Sequence, residues 1–200
     1  MNGSIQALQR YNHRTGMVPS ATAGSRLMNP HLREMMLALP SAQTDLYRIH
    51  QLVWEHVARV STKRDPEFIY RIDDGMIRVR SDSLPHMSTR ACIWRPNVRV
   101  HLDLAAVSGT DHQTPVPSNE IDAWSREKLQ QHGFTVQTLE VVQHELRTGC
   151  KRSGGRTHAI RIPVARLEAT INVANDDLAS LAWRGGIGRG KRFGLGMLAH

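Results

Sequence analysis

The most regular hydrophobic pattern in the chain lies in "TDLYRIHQLVWEHVARV", residues 44–60. Apolar residues recur there three or four positions apart, at Leu46, Ile49, Val53, Val57 and Val60. This spacing predicts an amphipathic α-helix that buries one face. Thr44 or Asp45 is available to cap the first turn, because both residue types accept hydrogen bonds from the free N–H groups at a helix start.

A two-residue alternation of apolar and polar positions follows this helix. It occurs in "FIYRI" (68–72) and "MIRVR" (76–80), which flank "DDG" at 73–75. Alternation with this period predicts two β-strands, and Asp74 and Gly75 suit the tight turn of a hairpin. We also expect a strand before the helix, near residues 21–28, although the pattern there is poorly marked.

The pattern is interrupted by "SLPHMSTRACIWRPN" (83–97), which contains two prolines, and we interpret residues 85–97 as a linker. After it, the pattern predicts a strand in 98–107 and a helix in 119–132 that ends at Gly133. Two long β segments follow, at 134–146 and 158–173. A short helix over 176–184, capped by Asn175 and stopped by Gly185, and a final strand over 192–198 complete the series.

The order of these elements, β-α-β-β-α-β, is typical of a ferredoxin-like (RRM-like) domain. The first half of the chain has the same order in degenerate form. The sequence therefore predicts an α+β protein of two tandem ferredoxin-like domains, over 25–84 and 98–200. Residues 1–24 are polar and lack sustained periodicity, and we expect them to form a flexible arm.

The charge balance indicates the kind of molecule that the protein binds. Lys and Arg number 26 against 18 Asp and Glu, which gives a net charge of +8 and a pI of about 10.3. Such an excess indicates a polyanionic partner. The chain has only four Trp, three Tyr and three Phe and no aromatic RNP-type run in its strands. We therefore expect recognition of nucleic acid by shape and phosphate contacts.

Composition also argues against several other classes. Cys92 and Cys150 are the only cysteines, so neither a disulfide framework nor a cysteine zinc site is indicated. The histidines are scattered without metal-ligand spacing, and we expect no metal or other cofactor. The apolar run "MMLALP" (35–40) is too short to span a membrane. We expect a cytoplasmic protein with no membrane partner.

The segment "GGIGRGKRFGLGM" (185–197) combines six glycines with three cations. It satisfies G-x-x-x-x-G-K, but Arg192 stands where an NTPase loop needs Ser or Thr, and too few residues follow it for an NTPase domain. Two interpretations remain, a helix C-cap with a flexible basic tail or a loop that binds a polynucleotide backbone. In the second, glycines allow close backbone approach and cations bind phosphate. The residues concerned are Gly186, Gly188, Arg189, Gly190, Lys191 and Arg192.

A second basic segment, "RTGCKRSGGR" (147–156), connects the two long β segments. Gly154 and Gly155 suit the turn, and the cations Arg147, Lys151, Arg152 and Arg156 are expected at the hairpin tip. A thin cationic ribbon can contact the phosphates of an RNA stem. The alternative is an ordinary solvated loop.

Taken together, "GIGRGKRFGLGML", "DLYRIHQLVW", "EFIYRIDDGMIRVRS" and the two ferredoxin-like halves resemble the CRISPR repeat-cleaving endoribonucleases, specifically the CasE branch of the RAMP superfamily. The resemblance covers residues 25–200. It implies metal-independent cleavage of precursor CRISPR RNA at the base of the repeat hairpin, with 2',3'-cyclic phosphate and 5'-hydroxyl ends. It further implies that the protein stays on the 3' stem of the crRNA as a subunit of an effector complex, of type I-E or type IV.

The resemblance also identifies candidate site residues. Tyr47 and His50 lie three positions apart on one helix face, and their spacing alone is that of an ordinary polar flank. The resemblance identifies His50 as the catalytic histidine and Tyr47 as its companion, and implies a positive hairpin that grips the stem. Which of the two acts as acid is open. The cation that stabilises the transition state is also open among Lys63, Arg64, Lys191 and Arg192.

Two other classes of function remain compatible with the sequence. One is a non-catalytic crRNA-binding subunit of the same superfamily, which would keep the fold and the glycine loop without using His50. The other is a basic adaptor associated with ribosomes or the nucleoid. Only the endoribonuclease needs a titratable pair beside the scissile phosphate.

Overall fold

A computed structural model of the protein describes residues 32–40, 43–86, 90–91, 97–109 and 113–200. The predicted arm (1–24) and the strand expected near 21–28 lie outside these described residues. None of the helices in these ranges has the length and apolar character that a membrane span requires.

The first half contains a four-stranded antiparallel sheet with one helix. Its elements are β1 (Arg33–Ala38), α1 (Leu46–Val60), β2 (Ile69–Asp73), β3 (Met76–Ser81) and β4 (Arg90–Ala91). The strand order β2-β3-β1-β4 is the ferredoxin-like one, in which the first strand lies between the third and the last. β1 falls in an apolar run that the sequence analysis considered only as a membrane span. β4 lies inside the range interpreted as a linker.

The helix α1 forms as predicted because its first turn is capped and one face is apolar. The side chain of Asp45 accepts hydrogen bonds from the backbone N–H groups of Tyr47 and Arg48, at 2.9 and 3.0 Å. The predicted apolar positions are buried, apart from the half-buried Val60. The hairpin prediction is also confirmed, because Asp74 and Gly75 both have positive φ.

The second half is built on a three-stranded antiparallel sheet. Its elements are β5 (Val98–Ala105), β6 (Val107–Ser108), β7 (Thr114–Pro115), α2 (Ile121–Gln131), β8 (Phe134–Ser153), β9 (Arg156–Val173) and α3 (Asp176–Gly185). The sheet order is β5-β9-β8, and β6 and β7 pair separately. The helix predictions are confirmed here, including the cap at Asn175, whose side chain accepts the Leu178 N–H at 3.0 Å.

The segment predicted as a loop between the two long β segments is itself mostly β-structure. β8 and β9 remain paired from Phe134 opposite Val173 to Ser153 opposite Arg156. Only Gly154 and Gly155, both with positive φ, form the turn. The two strands therefore make one long ribbon that carries cations at its end.

The final strand predicted over 192–198 is wrong in this form. Residues Lys191–Phe193 form a 3₁₀ turn, and the sheet gains only one bridge, between His101 and Ala199. The reason is local backbone geometry, because Gly194 and Gly196 have φ of 77° and 83°, which an extended strand does not allow. Ala199 nonetheless lies beside β5, where the last strand of a ferredoxin-like domain belongs.

The two halves are joined through Arg80 on β3, whose side chain is fully buried. Its guanidinium donates to Glu34 Oε1 at 2.6 and 3.0 Å. It also donates to the carbonyl oxygens of Trp183 at 2.7 Å and Leu198 at 2.8 Å. The same group lies 4.2 Å from the centroid of the Trp183 ring. One side chain thus connects the first sheet to α3 and to the glycine loop.

We expect Arg80→Ala to lower the free energy of unfolding by about 3–5 kcal/mol, because it breaks a buried ion pair with Glu34 and removes the donor to two buried carbonyl oxygens. Urea denaturation followed by circular dichroism measures the loss. Arg184→Ala is the control, since it removes an exposed cation 2.7 Å from Asp82 and is expected to cost about 1 kcal/mol or less. Equal losses in the two variants would contradict this role of Arg80.

Candidate active site

Tyr47 and His50 lie on the same face of α1, three positions apart, and both are half-buried. The face beside them, formed by Leu46, Ile49 and Val53, is buried in the first half of the protein. The helix is therefore held in place by its apolar stripe. The phenol and the imidazole lie between this stripe and the surface.

His50 lies in an aromatic environment. Its ring is 6.3 Å from the Phe68 ring in a stacked arrangement and 6.5 Å from the Phe193 ring, edge to face. Its Nδ1 atom is buried and has no hydrogen-bond partner among the described residues. One nitrogen of the imidazole is thus turned inward, which leaves Nε2 as the nitrogen for a substrate.

Burial of the ring and, second, the positive charge of Arg192 hold the pKa of His50 below its usual value. Both effects disfavour the protonated imidazolium. His50 is therefore mainly neutral at neutral pH. A neutral imidazole is the form that accepts a proton.

Arg192 is positioned by Tyr70, a residue of β2 that is fully buried. The Tyr70 hydroxyl donates a hydrogen bond to the carbonyl oxygen of Arg192 at 2.8 Å. Burial raises the pKa of this phenol above its ordinary value, so the hydroxyl keeps its proton and remains a donor. From the sequence, Tyr70 is recognisable only as a strand residue, because a contact 122 positions away leaves no local pattern.

The glycine loop is packed against the protein and is not a flexible tail. Residues 194–199 are buried. A Cβ atom on Gly196 would lie 2.2 Å from the carbonyl oxygen of Ile187, so only glycine allows this approach. Gly186 is buried in the same region and accordingly has no part in the proposal below.

The exposed part of the glycine loop is short. Gly188, Arg189, Lys191 and Arg192 are exposed, and Gly190 is half-buried. The cations of this loop therefore face outward while its ends are fixed inside. Lys191 and Arg192 belong to the 3₁₀ turn whose Phe193 contacts His50.

The end of the β8–β9 ribbon carries Lys151, Arg152 and Arg156, and all three are exposed. Arg147, which the sequence analysis placed with them at the tip, lies elsewhere. It forms ion pairs with the buried Asp103 at 2.6 Å and with Glu145 at 2.7 Å. One carboxylate from β5 and one from β8 therefore hold the Arg147 side chain against the sheet.

The ribbon crosses the first turn of α1 at Gly149. A Cβ atom at this position would lie 3.1 Å from Leu46 Cβ and from the backbone nitrogen of Tyr47. This close packing places Lys151 Nζ 6.0 Å from the centroid of the Tyr47 ring. The structure thus brings one basic segment to Tyr47 and the other to His50.

The cations after α1 are not part of this group. Lys63 donates to Asp82 at 2.8 Å and follows the end of the helix at Val60, about 15 Å along the axis from His50. Of the four cations that the sequence left open, Arg192 is the one whose charge acts on His50. Among the described residues, no group of three or more His, Cys, Asp or Glu side chains is arranged to hold a metal ion.

The fold and the site together define an α+β protein of two tandem ferredoxin-like domains, with basic segments on both sides of a half-buried histidine. The sequence model of a family described as CRISPR associated protein matches residues 99–199. This match spans half of the chain, and the protein belongs to this family. No curated protein sequence matches the chain.

Solved structures share the fold over 84% of this chain. CRISPR endoribonuclease Cse3 bound to 19 nt RNA matches with a TM-score of 0.67, 17% identity and 96% of its own chain covered. Cas6e from Escherichia coli K-12 gives a TM-score of 0.56 at 16% identity, and a component of a CRISPR RNA-guided surveillance complex gives 0.58 at 15%, each with 97% of its chain covered. The tandem ferredoxin-like fold predicted from the sequence is confirmed, and so is membership of a CRISPR associated protein family.

If the protein cleaves RNA as proposed below, we expect Gly149→Val to slow this cleavage, because the added side chain would push the ribbon away from Tyr47 while all cations stay in place. Single-turnover cleavage of a repeat RNA at saturating protein measures the effect. Thr148→Val is the matched control, since Thr148 is the exposed neighbour and valine also suits a strand. If the two variants cleave at the same rate, the contact between ribbon and helix does not serve the site.

Proposed function

We propose that this protein is a metal-independent endoribonuclease that cleaves precursor CRISPR RNA at the base of the repeat hairpin. The observation that carries the proposal is the placement of His50, half-buried among aromatic rings, with Tyr47 on the same helix face and basic segments on both sides. Membership of the CRISPR associated protein family supports it. The fold shared with Cse3 bound to RNA also supports it.

The proposed reaction uses the ribose 2'-hydroxyl of the RNA as nucleophile. Neutral His50 takes the proton of this hydroxyl, the 2'-oxygen bonds to phosphorus, and the bond from phosphorus to the 5'-oxygen breaks. The 5'-oxygen receives a proton from an acid, which is either the protonated His50 or Tyr47. The products carry a 2',3'-cyclic phosphate and a 5'-hydroxyl, so atoms and protons balance without a metal.

Two further contributions come from hydrogen bonding and charge. The Tyr47 phenol is suited to donate to a phosphate oxygen or to orient the 2'-hydroxyl. Arg192, and with it Lys191, supplies positive charge against the crowded phosphorane, where electrostatic stabilisation is effective. Because Tyr70 holds Arg192 by its backbone, the guanidinium remains available to the substrate.

The RNA is held by the two basic segments in this proposal. Lys151, Arg152 and Arg156 contact phosphates of the repeat stem, which a narrow ribbon can follow more readily than a helix can. Gly188 and Gly190 let the RNA backbone approach, and Arg189 adds charge beside them. We further propose that the protein stays on the crRNA stem as a subunit of a CRISPR effector complex, as the fold shared with the surveillance-complex component suggests.

The test is cleavage of a cognate repeat RNA in excess EDTA, with the product ends mapped. We expect cleavage at the base of the hairpin with a 2',3'-cyclic phosphate and a 5'-hydroxyl. His50→Ala is expected to lower the single-turnover rate by about 10² to 10⁴, the range for loss of a general acid or base. It should leave RNA binding within a few fold.

His56→Ala is the control, since His56 lies on α1 but six positions away. Dependence on magnesium, or an unchanged rate in the His50 variant, would overturn the proposed chemistry. Tight repeat binding without any cleavage by the wild-type protein would instead assign a non-catalytic crRNA-binding role.

The pH dependence of cleavage tests the role of His50 as base. The rate should rise with pH along an acidic limb set by the pKa of His50, which lies below its usual value. Arg192→Gln removes a positive charge that lowers this pKa, so the pKa rises and the acidic limb moves to higher pH. The measurement is kcat/KM across about pH 5 to 8, the range in which histidine titrates.

Arg189→Gln makes the same change in the same loop and is the matched control. It should lower RNA affinity without moving the acidic limb. A limb that moves equally in both variants would contradict a specific effect of the Arg192 charge on the pKa of His50. A rate that falls as pH rises through this range would assign His50 as the acid instead.

A further inference from the structure

A third aromatic side chain lies on the helix face that carries Tyr47 and His50. Trp54 follows His50 by four positions and Tyr47 by seven, so the three residues form one stripe along α1. The Trp54 side chain is 44% exposed. The proposed chemistry does not use this side chain. An exposed indole beside a candidate active site is available to contact the substrate.

The indole ring of Trp54 packs against a second aromatic ring. The centroids of the Trp54 and Phe68 rings are 5.9 Å apart, with an angle of 40° between the ring planes. Phe68, which is half-buried and immediately precedes β2, is in turn stacked against His50 with ring centroids 6.3 Å apart. The two rings form an aromatic surface that reaches from the outside of the helix to the imidazole.

A cleft adjoins this aromatic surface. It has a volume of about 420 Å³, and its lining includes one of the two rings, Phe68, the cations Lys191 and Arg184, and the carboxylates of Glu67 and Asp82. Arg184 is engaged by Asp82 at 2.7 Å, whereas the Lys191 side chain is exposed. Aromatic rings beside a cation are typical of sites that bind single-stranded nucleic acid, because bases stack on the rings and the cation pairs with a phosphate.

The order of groups along α1 indicates which part of a bound RNA would lie near the cleft. Lys151 of the ribbon lies over the Tyr47 ring, at the N-terminal end of the stripe. His50 is in the middle, and Trp54 lies toward the C-terminal end. A stem held by the ribbon would therefore present its scissile phosphate at His50 and pass its unpaired strand toward Trp54.

We propose that Trp54 and Phe68 form a stacking site for the unpaired nucleotide that flanks the scissile phosphate on the side away from the stem. This inference rests on the proposed function and names a part of its substrate. The base stacks on the exposed Trp54 ring and the adjoining Phe68 ring, and Lys191 pairs with the neighbouring phosphate. The site fixes the nucleotide beyond the cut, so the bond that breaks is held at His50.

The experiment measures binding of a repeat RNA that carries 2'-deoxyribose at the nucleotide before the cut, so that the nucleophile is missing and cleavage is blocked. Each protein is titrated with this RNA and with the same RNA made abasic at the flanking nucleotide. Wild type is expected to bind the abasic RNA about 5- to 150-fold more weakly, the loss typical of one stacked base.

Three variants separate stacking from general packing. Trp54→Ala should weaken binding of the intact RNA by a similar factor. This variant should then bind the intact and the abasic RNA with equal affinity. Trp54→Phe keeps an aromatic face and should retain most of the discrimination between the two RNAs. Trp54→Leu keeps apolar volume without an aromatic face, and should behave like alanine.

The outcomes distinguish this inference from the function on which it rests. If the alanine variant discriminates against the abasic RNA as strongly as wild type, the stacking site is wrong, and the proposed function stands. If the leucine variant discriminates like the phenylalanine variant, Trp54 packs against the helix without stacking on a base. If wild type does not bind the repeat RNA at all, both the function and the site are overturned.

Discussion

The buried guanidinium of Arg80 is the interaction on which the arrangement of the two halves depends. It bonds to Glu34 within its own sheet and to the carbonyl oxygens of Trp183 and Leu198 in the other half. A buried charge is tolerated only when its hydrogen-bonding groups are satisfied. Arg80 therefore requires α3 and the end of the glycine loop to lie close to the first sheet. If the loop moved away, the guanidinium would lose its hydrogen bond to the Leu198 carbonyl oxygen.

The candidate active site is a consequence of this arrangement. The imidazole comes from α1, the cation whose charge acts on it comes from the glycine loop, and the second basic segment comes from the β8–β9 ribbon. Tyr70 holds the loop by a backbone carbonyl, and Gly149 admits the ribbon to the first turn of the helix. Each contact positions a backbone and leaves a cationic side chain exposed, which is the condition that a phosphate-binding site needs.

Local patterns accounted for much of the fold. The capped helix, the Asp74–Gly75 hairpin and the α+β element order all follow from residues close together in sequence. β1 was missed, because a run of apolar residues without alternation does not distinguish a strand from other buried segments. The final strand was wrong because Gly194 and Gly196 adopt positive φ, and a glycine in a sequence is compatible with either sign of φ. The aromatic residues near His50 carried no local signal of their own.

The sequence alone determined the helix that carries Tyr47 and His50, the positions of the two basic segments and the family resemblance. These features depend on period, capping and turn chemistry, which act over a few residues. Only the tertiary structure decided that Arg80 is buried, although Arg80 is a polar position in the alternation of its strand. It also decided that Arg192 lies beside His50 while Lys63 does not. The physical reason is that a strand pattern shows which residues share a face, whereas what covers that face is set by packing between residues more than 100 positions apart.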